Sequence, residues 1–433
     1  MIKGPESASG TKILVSHFFS RYNKGDAALA STLVSELQRQ FDHPEISILT
    51  LDKTLPDELF EGLPLESNFI YYSSFRFKSR SCKLAYALLM LSTTLVYGWC
   101  WRRLHIKVWL PKVLRPIMQR YIDADLIVAV GGGYLNGSKS FNSLYSTVLI
   151  LHPFILSRLL GKPTVLFSQS YGPFKYVVER RLLGQVISRC VALALVREDQ
   201  SMDFLATLGV TNAVRSVDTA FLLGTEGATS DLRHALGLPP EQLIVGVTVR
   251  DWLESSGQAR YETSIAGVVD HLIARQGAFI VFIPQVTAAF FNDDDRVTAR
   301  SVAKRVVHSD HVYLLEDELT CHELKAVYED INFLIGTRFH SVIFSLTSHV
   351  PSLVIQYNHK ASGIMTDLDL SEWVVNIEDT STPKLIRMVD QLIESAQDYR
   401  THLAAVIPPY VERAREAVEL TQQAFNLSVA RSD

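Results

Sequence analysis

Arg338 and His340 stand two residues apart in the run Gly336-Thr337-Arg338-Phe339-His340-Ser341. The apolar stretch 331–335 before it reads as a short buried strand that Gly336 ends, and the apolar stretch 342–346 after it reads as the start of a helix. Backbone amides at a helix N-terminus point outward, so such a junction favours an anion, and a histidine there can move a proton at neutral pH. Arg250 ends a second apolar strand, Val247-Thr248-Val249, and offers another guanidinium for a carboxylate or phosphate. Pairing with Asp251 or Glu254 is the alternative for Arg250. Lys360 follows a third strand in the run Tyr357-Asn358-His359-Lys360, where a solvated helix start is the alternative. Two arginines from different strands plus one histidine suit a small, highly charged anion.

The first half carries a second set of strand-end motifs. Asn23-Lys24-Gly25-Asp26 follows the first strand, with Asp26 placed to cap the first helix. Gly131-Gly132-Gly133 follows the strand 126–130 and would let backbone amides approach a ligand, with Asn136 just beyond. Gln169-Ser170-Tyr171-Gly172-Pro173-Phe174 follows the strand 163–168, so Gln169 and Ser170 are expected at a carboxyl strand end, where open α/β sheets bind ligands. Each of these also reads as an ordinary turn. Val196-Arg197-Glu198 reads as structural. The triplet Asp293-Asp294-Asp295 reads as a solvated helix cap, and no metal is expected.

The elements that must position these residues alternate along the chain. Short apolar strands and helical stretches succeed one another over 11–223, and the alternation resumes over 231–400 after the small, polar stretch 224–230. This pattern predicts an α/β fold of two Rossmann-like domains facing an interdomain cleft, with an anion site at the strand ends of the second. A long amphipathic helix over 401–433, broken near Pro408-Pro409, is expected at the end.

The chain has 433 residues, 47% of them hydrophobic, which suffices for two cores, and a net charge of −4 gives no global basic field for nucleic acid. Four scattered cysteines without a CxxC pair fit a reducing, cytoplasmic setting. No secretory signal pattern is read among the polar first ten residues. Residues 84–101 are mostly apolar, hold Trp99 and Trp101, and have basic residues on both sides. A pair of core helices within about 78–120 is the favoured reading. The alternative is a patch resting on the inner face of the cell membrane, and a membrane span is the weakest reading.

The ordered set of motifs resembles the polysaccharide pyruvyl transferase family: Asn23-x-Gly25-Asp26, the three glycines, Gln169-Ser170-x-Gly172-Pro173-Phe174, Arg197-Glu198, Asp218-x-Ala220-Phe221, Arg250, Gly336-x-Arg338-x-His340-Ser341, and Tyr357-x-x-Lys360. It covers roughly residues 11–370. The resemblance implies an architecture similar to the two-domain GT-B glycosyltransferases, phosphoenolpyruvate as donor with no further cofactor, and a sugar diol as acceptor, lipid-linked on one reading. The products are a pyruvate ketal and phosphate. It implies that His340, Arg338 and Arg250 carry the donor chemistry. Similar proteins often have an acidic residue where Asn136 stands, so Asp26 is the substitute candidate for a base. A nucleotide-sugar glycosyltransferase and a non-catalytic saccharide-binding protein remain as alternatives. The sequence does not fix the oligomeric state.

Overall fold

The run Ile244-Val245-Gly246-Val247-Thr248 is buried at every position, as a strand with helices on both faces must be. It is the central strand of one of two parallel sheets in the computed structural model, which describes residues 10–52, 58–69, 79–137, 143–357 and 359–430. Most of the expected N-terminal tail lies outside the described residues. The chain divides into two units, one of residues 1–20, 29–219 and 413–433, the other of residues 21–28 and 220–412. The change near residue 220 falls close to the expected linker. Two pieces differ from the expected partition: 21–28 groups with the second unit and 413–433 with the first.

The first unit holds β1 (Lys12–Phe18), β2 (Glu45–Thr50), β3 (Leu65–Ser67), β4 (Leu126–Ala129), β5 (Gly132–Leu135), β6 (Thr164–Tyr171), β7 (Leu193–Val196) and β8 (Ala213–Arg215). Their order is β3-β2-β1-β4-β6-β7-β8, all parallel, with β5 also pairing β6. The helices are α1 (Lys24–Gln40), whose first turn belongs to the second unit, then α2 (Arg80–Leu104), α3 (Arg115–Asp123), α4 (Ser143–Leu160), α5 (Val177–Cys190) and α6 (Asp199–Thr207). The expected pair of core helices is α2, of 25 residues, and α3, which share one buried cluster. Ala87, Met90 and Tyr97 on one face of α2 are buried in that cluster with Leu156 and Leu160 of α4.

The second unit holds α7 (Leu232–Ala235), β9 (Ile244–Thr248), α8 (Ser255–Gln276), β10 (Phe279–Phe282), β11 (Thr287–Ala288), β12 (Asp293–Asp294), α9 (Asp295–Ala303) and β13 (Val312–Leu314). It continues with α10 (Cys321–Asp330), β14 (Phe333–Gly336), α11 (Phe339–Thr347), β15 (Ser352–Gln356), α12 (His359–Asp367), β16 (Val374–Asn376), α13 (Thr382–Glu394) and α14 (Ala396–Ala430), whose part from residue 413 belongs to the first unit. The six-stranded sheet runs β13-β10-β9-β14-β15-β16, which in chain order is 3-2-1-4-5-6. That order reverses between β9 and β14, and doubly wound sheets bind ligands outside the carboxyl ends at such a reversal. α14 is continuous through Pro408 and Pro409 instead of breaking there. Each proline removes only one helical N–H, and buried Leu403, Ile407, Tyr410 and Ala414 hold the same face in place.

The first unit buries two histidines. His17 stacks on Phe154 at 4.7 Å and donates through Nε2 to the Ile150 carbonyl, and the His152 ring meets Thr94 Oγ1 at 2.9 Å. Burial pushes His17 down to about 4, against the opposing pull of the Ile150 carbonyl, and pushes His152 down to about 3. In the unfolded chain both rings titrate near ~6.5. Below that pH the unfolded chain takes up protons that the folded one refuses, so stability rises with pH through this window and is lost on acidification. The denaturant midpoint should fall between about pH 7 and about pH 5, and His152→Gln should flatten part of that slope.

Candidate functional site

Two strands deliver the expected residues to one end of the second unit's sheet. β9 and β14 are parallel neighbours, with Gly336 opposite Thr248. Arg250 leaves the carboxyl end of β9, and Arg338 and His340 leave that of β14. Thr248 fixes the register of the second turn: its Oγ1 accepts from the amides of Thr337 at 2.9 Å and Arg338 at 3.2 Å, and meets Ser341 Oγ at 2.9 Å. Arg338 is the residue before the first turn of α11, and His340 lies within that turn.

Arg338 is not a freely offered clamp. Its guanidinium is buried and binds Asp295 through Nε at 2.9 Å and through Nη2, which also reaches Asp293 Oδ1 at 2.5 Å. Asp295 is 2% exposed and also accepts from the amides of Gln285 and Val286, each at 3.0 Å. Burial pushes the Asp295 carboxyl up and Arg338 opposes it. The amides of Val286 and Gln285 oppose it in the same sense as Arg338, so four N–H groups are aimed at its two oxygens. Burial would lower the Arg338 guanidinium's pKa, but Asp295 foremost holds it above its ordinary value. The expectation that residues 293–295 form only a solvated cap is therefore corrected. Asp294 does cap α9 by accepting from Arg296 N, but Asp295 turns inward because the buried Arg338 demands a counter-charge.

Arg250 is the more available guanidinium. It packs against the rings of Trp252 at 4.7 Å and Tyr357 at 4.5 Å, and its Nη2 lies 3.7 Å from Asp293 Oδ2. Its Nε is buried and has no hydrogen-bond partner among the described residues. Neither Asp251 nor Glu254, the partners considered from sequence, forms an ion pair with it among the described residues. Gln258 shapes the turn that carries Arg250 and Trp252: its Oε1 accepts from the amides of Trp252 and Leu253, both at 3.2 Å, and its Nε2 donates to the Arg250 carbonyl at 3.1 Å. Trp252, Gln258, Asp293 and Asp295 were missed by sequence reasoning. Only the acidic triplet was visible as a signal.

The Asn23-x-Gly25-Asp26 motif joins this same unit. Asn23 bridges Val286, and the Lys24 amide donates to the Gln285 carbonyl at 2.9 Å. Buried Lys24 pairs with Glu318. The helix cap is Asn23, whose Oδ1 accepts from the Asp26 amide at 3.4 Å, while Asp26 sits in the first turn. Gly25 lies against the imidazole: a Cβ there would stand 1.8 Å from His340 Nδ1. Glycine is needed because the His340 ring occupies the place of its side chain.

The remaining expected residues lie in the first unit. β6 runs on to Tyr171, so Gln169 and Ser170 fall inside a central strand instead of at its open end. Gln169 is fully buried and donates through Nε2 to the Val130 carbonyl at 2.6 Å and to Tyr134 Oη. Ser170 lies in a buried network, accepting from Arg197 Nε at 2.7 Å and donating to Glu198 Oε2 at 2.9 Å, while Arg197 Nη1 meets Asp218 Oδ2 at 2.6 Å. Gln169 and Ser170 are thus internal struts, which corrects their assignment to substrate. Gly132 and Gly133 open β5, and Gly131 lets it approach β6, since a Cβ there would come 2.6 Å from the Ser168 carbonyl oxygen. Asn136 is exposed and donates to the Gly133 carbonyl. The Lys360 side chain lies outside the described residues. Near the carboxyl ends of β1 and β2, a cavity of about 190 Å3 is lined by His17, Phe19, Leu51, Asn68, Tyr134 and Tyr145, among others.

The family model for polysaccharide pyruvyl transferase matches residues 23–359, from the Asn23 cap through the Arg-x-His turn. The chain belongs to the polysaccharide pyruvyl transferase family. As such it is an enzyme of polysaccharide biosynthesis with a saccharide acceptor. It is 24% identical over 406 residues to the amylovoran biosynthesis protein AmsJ of Erwinia amylovora, covering 89% of this chain and 92% of that one. Among solved structures it is similar to Anabaena HepE in complex with UDP-glucose, with a TM-score of 0.59 and 13% identity over 97% of this chain and 99% of that one. It is also similar to the UDP-GlcNAc 2-epimerase of Neisseria meningitidis, with a TM-score of 0.60 and 10% identity over 95% of this chain and all of that one. These likenesses establish the two-domain α/β fold of such glycosyltransferase and epimerase chains.

Two substitutions probe this candidate site. Gly25→Ala should leave the melting temperature near that of the wild type but lower kcat/KM for pyruvyl transfer by about 100-fold or more, because it displaces His340. Asp295→Asn should cost roughly 3 kcal/mol in denaturant unfolding, because it strands the buried Arg338 charge.

Proposed function

We propose that the enzyme transfers the enolpyruvyl group of phosphoenolpyruvate to two hydroxyls of one sugar, forming a pyruvate ketal and releasing phosphate. The observation that carries this reading is the convergence of Arg250, Arg338 and His340 at the reversal between β9 and β14, with the His340 ring seated on Gly25. Phosphoenolpyruvate has a carboxylate and a phosphate, and its chemistry requires protonation of a methylene carbon. The orphaned Nε of Arg250 and the aromatic faces beside it suit one anionic group of a planar donor. Arg338, fixed by Asp295, holds positive charge where the phosphate departs.

In this reading His340 gives a proton to the methylene carbon, which becomes a methyl group, and positive character develops on the adjacent carbon. One sugar hydroxyl adds there and loses its proton to a base. The C–O bond to phosphate breaks, the second hydroxyl closes the ring, and its proton goes with the departing phosphate. Asp26, one residue from the glycine beneath His340, is the base we assign to the first hydroxyl.

The test is mass spectrometry of a saccharide acceptor incubated with enzyme and phosphoenolpyruvate, which should gain pyruvate less water. His340→Gln should lower the rate by about 100-fold or more. Arg250→Ala should abolish thermal stabilisation by phosphoenolpyruvate. Undiminished turnover in the His340 variant would remove its role as acid. Stabilisation by UDP or GDP with none by phosphoenolpyruvate would point to a nucleotide-sugar transferase instead.

A further inference from the structure

The outer face of α2 is apolar where a helix on a protein surface is normally polar. Leu88, Val96 and Trp99 are 58%, 54% and 49% exposed and recur at helical spacing along one stripe, with Leu84 beside its start. After α2 ends at the left-handed His105, Ile106 and Trp109 continue the exposed apolar surface. Trp109 is 66% exposed.

Charge distinguishes this face from a generic sticky patch. The sequence has no Asp or Glu from residue 67 to residue 122, although the whole chain carries a net charge of −4. Within that segment Lys83, Arg102, Arg103, Lys107, Lys112 and Arg115 supply only positive charge. Arg103 and Lys107 are exposed beside Trp99 and Ile106 in sequence, and Lys107 lies over the Trp101 ring at 5.6 Å. Tryptophan, leucine and basic side chains on one surface without acidic ones match a lipid interface with anionic headgroups.

By length and composition α2 could cross a membrane. Its inner face argues against that. Ala87, Met90 and Thr94 are buried, and Thr94 Oγ1 is tied to the buried His152 ring at 2.9 Å. Pulling the helix out to span a bilayer would open the first unit's core.

We propose that the outer stripe of α2, with the loop through Trp109, is a docking surface on which the enzyme rests against an anionic lipid leaflet, α2 lying flat in the headgroup region. The surface shares no residue with the Arg250–His340 site, and its test does not depend on the donor.

The experiment is sedimentation of the full-length protein with vesicles of phosphatidylcholine containing phosphatidylglycerol, against phosphatidylcholine alone. The wild type should bind the anionic vesicles, more weakly in high salt. A basic residue near an anionic surface is worth about fivefold in partitioning, so Arg103→Glu with Lys107→Glu should weaken binding by roughly 25-fold or more. Leu88→Ser with Trp99→Ser should also weaken it. Both pairs should keep the wild-type melting temperature, which separates lost docking from lost folding. Wild-type protein that ignores anionic vesicles, or binds neutral ones equally well, overturns the proposal. So does a wild-type dimer, seen by light scattering, that Leu88→Ser with Trp99→Ser converts to monomer.

Discussion

A buried guanidinium has to find a buried carboxylate, and most of the second unit's site follows from how Arg338 and Asp295 meet that demand. Asp295 accepts from Arg338 on one side and from the amides of Gln285 and Val286 on the other. Gln285 and Val286 in turn receive the chain at Lys24 and Asn23. One ion pair thereby ties the turn after β14, the loop after β10 and the start of α1. Ion pairs at such depth add little net stability, because desolvation offsets attraction. Their value here is positional: Gly25 comes to rest against His340, and Asp293 is left between the two arginines.

The strand-end residues of the second unit were legible because a parallel sheet writes itself as short apolar runs, and whatever follows each run must lie at the carboxyl edge. Arg250, Arg338 and His340 obey that rule. Their partners were not legible. Asp295 lies more than forty residues before Arg338, and an acidic triplet at a helix start looks the same whether one member turns inward or all face water. Trp252 is two residues from Arg250, but Tyr357 is far more distant in sequence, and only the pairing of β9 through β14 to β15 brings its ring to the same guanidinium.

In the first unit the same rule misled at β6, because the strand runs three residues beyond the expected end. Gln169 and Ser170 thereby moved from an edge to an interior. The consequence is a network of Ser170, Arg197, Glu198, Ser201 and Asp218 that joins three adjacent strand ends without touching solvent. Motif residues can thus serve the scaffold as much as the chemistry. The long apolar helix α2 shows the converse, since composition alone left core, interface and span all open, whereas the burial of Met90 and Thr94 opposite the exposure of Leu88 and Trp99 gives it one core face and one exposed apolar face.

The grouping of residues 21–28 with the second unit sets a limit on dissecting this enzyme. A fragment cut at residue 220 would contain both arginines, the histidine and the whole six-stranded sheet, and would look complete by its sequence. It would nevertheless lack the glycine on which the imidazole lies and the amide that holds the Gln285 carbonyl. Such a half could fold and still be chemically silent, and adding back the other half as a separate chain would have to restore a single turn of helix to its seat.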